Sequence, residues 1–468
     1  MVKKGPKFQV NDLRKKFPEF CYDSYKWSFL NKDLKIVFKF SAGKHKFVSA
    51  VKIKNIPNSA KKIKKEIINN FVFNLGMVES LSYWKAFCSP EIKVLAGALT
   101  KNQVAWWEKL LFKGMGQYFF ENKINFKAKN FIKIIVEESK DKAAVLYKAA
   151  DDSILLPIGG GKDSFASLHL LQQKTNNVSC FLLNPTKAAA AAGKVFACKD
   201  TIVCERKIDE HLLDLNRKGY LNGHTPFIAY VSFLTALTAA LFNKKYIAFS
   251  NEKSSNEGNT TYLNEEINHQ YSKTFEFENN FRDYLKKYLS PNLEYFSLLR
   301  PIYELQIAKI FAERRDLMPI FLSCNEAEKT HSGTKEKTGK WCGACAKCLF
   351  VYMALYPYVS TSDLKNIFGI DLFAKKELLP LMFELIGEKE IKPWECVGTK
   401  QEANIALYLS WKRNVIRDVE QPFLLEYFAE NIMPSEKNWE KEAQKIIQNW
   451  DTKNNIPKKF DFRKQIGL

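Results

Sequence analysis

Eleven residues limit the possible folds of this chain more than any others: Ile154-Leu155-Leu156-Pro157-Ile158-Gly159-Gly160-Gly161-Lys162-Asp163-Ser164. The apolar run reads as a buried strand, three glycines interrupt it, and Phe165 to Gln173 resumes as a helix with Leu168, Leu170 and Leu171 among its apolar positions. A glycine turn between strand and helix lets backbone N–H groups converge on an anion, and the helix N-terminus adds its dipole. Lys162 adds a cation, Asp163 a carboxylate able to hold magnesium, and Ser164 a hydroxyl. The stretch therefore reads as a nucleotide phosphate cradle.

The spacing selects among cradles. A Walker loop needs Gly-x-x-x-x-Gly-Lys-Ser/Thr and a dinucleotide fold needs Gly-x-Gly-x-x-Gly. Neither fits, because an acid separates Lys162 from Ser164. Gly-Gly-Gly-Lys-Asp-Ser instead resembles the pyrophosphate loop of ATP pyrophosphatases, Ser-Gly-Gly-x-Asp-Ser, with Gly159 at the first serine. That resemblance implies ATP with Mg2+, adenylation of a carboxyl or amide oxygen, release of pyrophosphate, and an adenine-nucleotide α-hydrolase-like fold.

Residues 149–355 alternate strand and helix, the pattern of an α/β doubly wound parallel sheet. Val178 to Leu183 is an apolar strand ending at Asn184, Thr186 to Ala197 a helix carrying the run Ala188 to Ala192, and Thr201 to Cys204 a third strand. Pro226 to Phe242 reads as a buried helix with Thr225 as its N-cap, and Tyr246 to Phe249 as a strand ending in Ser250-Asn251-Glu252. Ligands in such sheets sit outside the carboxyl ends of strands, so the cradle, Asn184 and Ser250-Asn251-Glu252 point at one crevice.

Residues 1–148 read as an N-terminal α+β domain. Leu34 to Phe40 and Phe47 to Ile53 alternate as half-buried strands around the turn Ser41-Ala42-Gly43-Lys44, and helical periodicity begins at Lys61. Glu79, Ser82, Tyr83 and Lys85 form a dense polar cluster without a catalytic pattern, and Glu137 to Lys148 reads as a solvated helix. Residues 356–468 read as a mainly helical C-terminal cap with a loosely held lysine-rich tail after Asp451.

The net charge of +21 rests mostly on lysine spread along 468 residues. Arginine, which suits base-edge and phosphate forks, is scarce, so an acidic small substrate suits the charge as well as a nucleic acid. The opening Met1 to Lys7 is basic without a following apolar region, and Ile228 to Phe242 falls short of a membrane span. Ten cysteines in a chain this long make no dense disulfide framework, which fits a reducing cytoplasm.

Several further groups stand out. Glu252 is placed to bind magnesium or orient a substrate, Lys273 to neutralise phosphate, and Arg300 to fork onto a phosphate or carboxylate. His224 and His269 lie in polar stretches suited to proton transfer. Cys342-Gly343-Ala344-Cys345-Ala346-Lys347-Cys348 has zinc-knuckle spacing. Cys324, after the apolar strand Ile320 to Leu322, is the economical fourth ligand and Cys396 its competitor. An iron–sulfur cluster or free thiols are the alternatives to structural zinc.

Taken in order, these segments resemble the UDP-N-acetylmuramoyl-L-alanyl-L-glutamate epimerases. The resemblance is carried by Gly76 to Ala86, the cradle, Leu221-Asn222-Gly223-His224-Thr225-Pro226, Ser250-Asn251-Glu252, Asn268-His269-Gln270-Tyr271-Ser272-Lys273, Tyr295 to Pro301, Ser323-Cys324-Asn325, Trp341 to Cys348 and Lys392 to Gly398. It implies ATP-dependent inversion of the terminal L-glutamate of a sugar-nucleotide dipeptide in the cytoplasm, through an acyl adenylate. His224, His269 and Cys396 are then candidate bases, beside Glu252. A tRNA-thiolating enzyme and a zinc-stabilised nucleic-acid-binding module are the other functional classes the sequence allows.

Overall fold

The computed structural model describes residues 7–138, 146–329, 335–435 and 438–468. Its strands are β1 Glu19–Leu30, β2 Asp33–Ala42, β3 His45–Ile53, β4 Glu91–Leu99, β5 Lys133–Glu138, β6 Asp151–Pro157, β7 Val178–Leu183, β8 Thr201–Lys207, β9 Lys244–Phe249, β10 Thr260–Tyr262, β11 Glu265–Ile267 and β12 Glu294–Ser297. Ten of them form one sheet in the order β12-β9-β6-β7-β8-β3-β2-β1-β4-β5, while β10 and β11 pair separately. From β12 to β8 the strands run parallel. An antiparallel junction with β3 then joins them to the β3-β2-β1 meander. Strands from the N-terminal and nucleotide-loop regions thus share one mostly parallel α/β sheet with helices on both faces.

Side chains alternate along the central strands as period two requires. Leu155, Phe181, Ile247 and Tyr295 enter the core shared with the Phe227–Leu241 helix. Ile154, Leu156, Leu182, Ala248 and Phe296 enter the core shared with the Lys162–Gln172, Glu304–Ala312 and Ala346–Leu355 helices. Burial on both faces explains why β6 and β7 read as continuous apolar runs. The chain steps from β6 through β7 to β8 on one side, then returns to β9 and β12 on the other. The crevice at this reversal lies at the carboxyl ends of β6 and β9, where the cradle and Ser250-Asn251-Glu252 begin.

The two N-terminal strands pair as expected, with Phe40 opposite Phe47 and Gly43 turning at φ 54°. Three local expectations need correction. Pro226, not Thr225, occupies the cap of the Phe227–Leu241 helix, and no side chain bonds there. Ile320 to Leu322 is irregular rather than a strand: it joins no sheet among the described residues, and the Leu322 N–H donates to the Gly160 carbonyl of the cradle (2.9 Å). Glu137 and Glu138 belong to β5 rather than to a solvated helix, residues 139–145 lie outside the described ones, and 146–148 are not helical. Cys180 and Cys198 form a disulfide and the other eight cysteines are free, so there is no dense disulfide framework, as expected.

The segment after Asp451 is also firmly docked, against expectation. Phe460 and Phe462 are buried in the second core, and Asn455 donates to Glu278 (2.8 Å). Lysines dominate the composition of this tail, but its two phenylalanines decide its fate. Phe462→Ala is expected to cost about 3–5 kcal/mol, read as a lower denaturant midpoint. A loss under about 0.5 kcal/mol, the range of surface substitutions, would show that docking contributes nothing.

Candidate active site

The cradle depends on glycine at one position above all. Gly160 has φ +89°, and a Cβ there would fall 2.8 Å from both the Ala188 Cβ and the Ala189 nitrogen. Thr186 caps the Lys187–Val195 helix by accepting the Ala189 N–H (3.1 Å). Ala188, Ala189 and Ala192 are buried, so the alanine run lets this helix close on the loop. At Gly159 a Cβ meets nothing within 4 Å, which leaves room for the serine of the related loops. The Ser164 hydroxyl donates to the Gly161 carbonyl (2.9 Å) and stabilises the turn from within.

Behind the cradle lies a cluster of balanced charge. Ligand atoms of Asp163, Glu252 and Glu304 lie within 4.8 Å of one another. Lys162, 1% exposed, bonds both Asp163 and Glu304. Burial opposes its charge, but Asp163 and Glu304 outweigh burial and hold the ammonium above its ordinary value. Burial first, then Asp163, pushes the Glu304 carboxyl up to about 7. Both oxygens of Glu252 and one of Glu304 are enclosed with no hydrogen-bond partner among the described residues. Enclosed, mutually repelling carboxylate oxygens of this kind fit a hard divalent cation.

Glu304 and Lys347 escaped the sequence reading. Glu304 opens a helix, where acids are ordinary, so nothing in the sequence set it apart. Lys347 sits inside the cysteine knuckle, which was its only signal. It bonds the Cys396 carbonyl and reaches within 4.0 Å of Glu304, tying knuckle to cradle.

The expected phosphate contacts divide. Burial would lower Lys273, but Cys396, Glu252 and Asp163 raise it, so Lys273 and Cys396 both belong to the cluster. Arg300 is spent on the protein: Nε meets Glu278 (3.3 Å), Nη1 the Glu252 carbonyl (2.6 Å) and Nη2 the Lys273 carbonyl. It holds the two loops of the site in place instead of presenting a free fork. Asn184 exchanges both ends of its amide with the Arg206 backbone (2.8 and 2.9 Å), bracketing β7 to β8. Asn251 donates to Ser297 (3.1 Å), and the Ser250 hydroxyl is enclosed without a partner among the described residues.

His224 and His269, 45 residues apart in sequence, come together with ring centroids 5.8 Å apart and nearly perpendicular. Burial, then Lys85, lowers His224 to about 4. Burial, then His224 and Lys273, carries His269 well below its usual value. Both rings are therefore neutral at pH 7. Lys85, from the polar cluster, donates to the Gly223 carbonyl (3.0 Å); burial, then Arg206, lowers it to about 8. The rest of that cluster is structural, with Glu79 paired to Arg206 (2.9 Å).

Cys324, Cys342, Cys345 and Cys348 place their sulfurs within 4.8 Å of one another, and Cys396 is not among them. The cluster can hold a metal ion, and four thiolates suit zinc. No helix of the described residues is long and apolar enough to cross a membrane.

Comparison with known proteins identifies the family of the chain. Residues 11–298 match the model of the MurL N-terminal domain and residues 320–444 that of the MurL C-terminal domain. Proteins named UDP-N-acetyl-alpha-D-muramoyl-L-alanyl-L-glutamate epimerase are similar over most of their length. One from a Micromonospora species is 33% identical over 74% of this chain and 75% of its own. That of Salinispora tropica is 33% identical over 74% of each. That of Xanthomonas oryzae pv. oryzae is 29% identical over 74% of this chain and 78% of its own. With both domains matched in order around one crevice, the chain belongs to the MurL family of epimerases.

Proposed function

We propose that this protein inverts the terminal L-glutamate of UDP-N-acetylmuramoyl-L-alanyl-L-glutamate, consuming ATP and forming an acyl adenylate with release of AMP and pyrophosphate. The observation that carries the reading is the meeting of a phosphate cradle, a balanced acid–lysine cluster and two neutral imidazoles around one crevice. A Cα proton beside a free carboxylate is very weakly acidic, because its loss places a second negative charge next to the first. Attack of that carboxylate on the α-phosphorus of ATP expels pyrophosphate and forms a mixed anhydride with AMP, which removes the first charge and acidifies Cα by on the order of ten powers of ten, about 14 kcal/mol.

The N–H groups of the cradle and Lys162 bind the phosphates, while Lys273 and Lys347 answer the charge of the departing pyrophosphate. Asp163, Glu252 and Glu304 would hold Mg2+, which supplies charge neutralisation on the phosphate oxygens. His269 takes the proton from one face of Cα. The opposite face receives a proton from the side of His224 and Lys85, whose ammonium at about 8 is still charged at neutral pH. Hydrolysis of the adenylate then frees the product. A soluble sugar-nucleotide substrate places this chemistry in the cytoplasm.

Turnover of the dipeptide precursor with ATP in heavy water tests the whole reading. We expect D-glutamate, AMP and pyrophosphate, with deuterium at the glutamate Cα. Product without deuterium would exclude proton abstraction there.

The four-cysteine cluster would carry structural zinc. Purified protein is expected to contain one zinc per chain, and Cys324→Ala to lose most of it together with thermal stability. Full zinc retention in Cys324→Ala would shift the fourth ligand elsewhere. Because all four knuckle and Cys324 sulfurs face one another, tRNA thiolation would have to rely on a cysteine outside the cluster, such as Cys396, and the epimerase reading is preferred.

A further inference from the structure

The polarity of one buried amide fixes which nitrogen of His269 is free. The Asn259 side chain, 4% exposed, has its Nδ2 directed at the Lys392 carbonyl (3.4 Å) and the Pro393 carbonyl (2.8 Å). Two acceptors on that side leave only one orientation for the amide, so Oδ1 is the atom on the other side. There it accepts the backbone N–H of His269 (3.0 Å) and lies 2.9 Å from His269 Nδ1. The Asn259 backbone is pinned as well, its N–H donating to Ile267 (2.7 Å) and its carbonyl accepting from Lys392 (3.0 Å). An oxygen acceptor facing Nδ1 requires the proton on Nδ1. In a neutral ring Nε2 then bears the lone pair, and Nε2 is enclosed with no hydrogen-bond partner among the described residues.

We infer that Asn259 is a positioning residue: it locks His269 in the Nδ1-protonated tautomer, so that Nε2 is the atom that removes the substrate Cα proton. This rests on the epimerase reading above and deepens it. In the step, the Cα–H bond breaks, its electron pair enters the acyl-adenylate carbonyl system, and the proton forms a new N–H bond at Nε2. The same amide ties down the Lys392-Pro393-Trp394 segment, whose indole meets the His269 ring edge-on (centroids 6.2 Å apart). Asn259 therefore sets both the tautomer of the base and one wall around it.

The neutral state of the ring fits this arrangement. The charged or titrating groups that act most strongly on His269 are His224, Lys273, Lys392 and Lys347, all of which disfavour a positive charge on the ring once burial has done so. No carboxylate stands among them. Replacing the neutral amide by a carboxylate would supply one, and a carboxylate beside an imidazole favours its protonated form.

Two measurements test the inference. Long-range 15N–1H correlation of the six histidines in the full-length protein, with His269 assigned through His269→Gln, should show the Nδ1–H tautomer at pH 7.5. An Nε2–H tautomer would overturn the proposal whatever the enzyme's substrate. In Asn259→Asp, the acid limb of Cα deuterium exchange should move up by on the order of one pH unit. On the acid side of that limb, exchange should fall about tenfold more than pyrophosphate release in the same variant. An unmoved limb, or equal loss of both half-reactions, would reduce Asn259 to a structural residue. If the wild-type protein forms no pyrophosphate from ATP and the dipeptide precursor, the epimerase reading fails, while the tautomer measurement still decides the role of Asn259.

Discussion

Replacing Asp163 by alanine is expected to lower formation of AMP and pyrophosphate by on the order of 10³-fold or more, about 4 kcal/mol of transition-state stabilisation, while the fold survives. Asp163 sits where three carboxylates crowd one another, and Lys162 and Lys347 are what hold its carboxyl below the ordinary range despite burial. Removing one of three like charges relieves the repulsion that pushes Glu304 upward. Lys162 keeps its bond to Glu304, so no buried cation is stranded. Lys162→Ala would be a poorer test, since it leaves buried carboxylates without their principal counter-charge and costs several kcal/mol of stability as well. Pyrophosphate release and thermal unfolding, measured together, separate the two effects. Full turnover by Asp163→Ala would remove the cradle from the mechanism. Unfolding of the variant would instead show that the cluster is held by attraction more than it is strained by repulsion.

The parts legible in the sequence were those written in contiguous residues. The strand–glycine–helix unit, the neighbouring strands and the cysteine knuckle each carry their signal within a dozen positions, and the structure places them accordingly. Cys324 could be paired with the knuckle because sulfur ligands have few competitors. What escaped was side-chain bookkeeping across the fold. Arg300 sits in a promising motif, yet only the folded loops reveal four protein acceptors around its guanidinium. Asn184 stands at the end of an apolar strand like a ligand contact, but its amide is consumed by the next strand. Glu304 looks like any acid at a helix start until the Ser250-Asn251-Glu252 loop and the cradle close over it. Asn259 carries no sequence signal of its own, because its importance lies in which way its amide faces.

Stability is expected to depend on pH through His224, and the dependence is best read as a difference between variants. The ring is held near 4 in the folded protein and titrates at 6.5 when unperturbed. Between those values the unfolded chain binds a proton that the folded chain refuses, so stability falls as pH drops from 6.5 towards 4 and levels off below. The full effect is roughly 3 kcal/mol. Glu304 runs the opposite way over much of the same window. Its carboxyl is raised to about 7 from 4.5, so the folded state holds the extra proton and stability falls as pH rises. The two slopes partly cancel, and the wild-type curve alone would look shallow. His224→Gln deletes one slope and keeps the other. Denaturant unfolding at pH 7.5 and pH 4.0 should therefore show the variant gaining roughly 2–3 kcal/mol relative to wild type on acidification. His269, also depressed and in edge contact with His224, should titrate more readily once its neighbour is gone, which adds to the difference and keeps its sign. A pH-independent gap between the two proteins would mean that water reaches the His224 ring freely. The pair of neutral imidazoles on which the proposed proton transfer depends would then lose its basis.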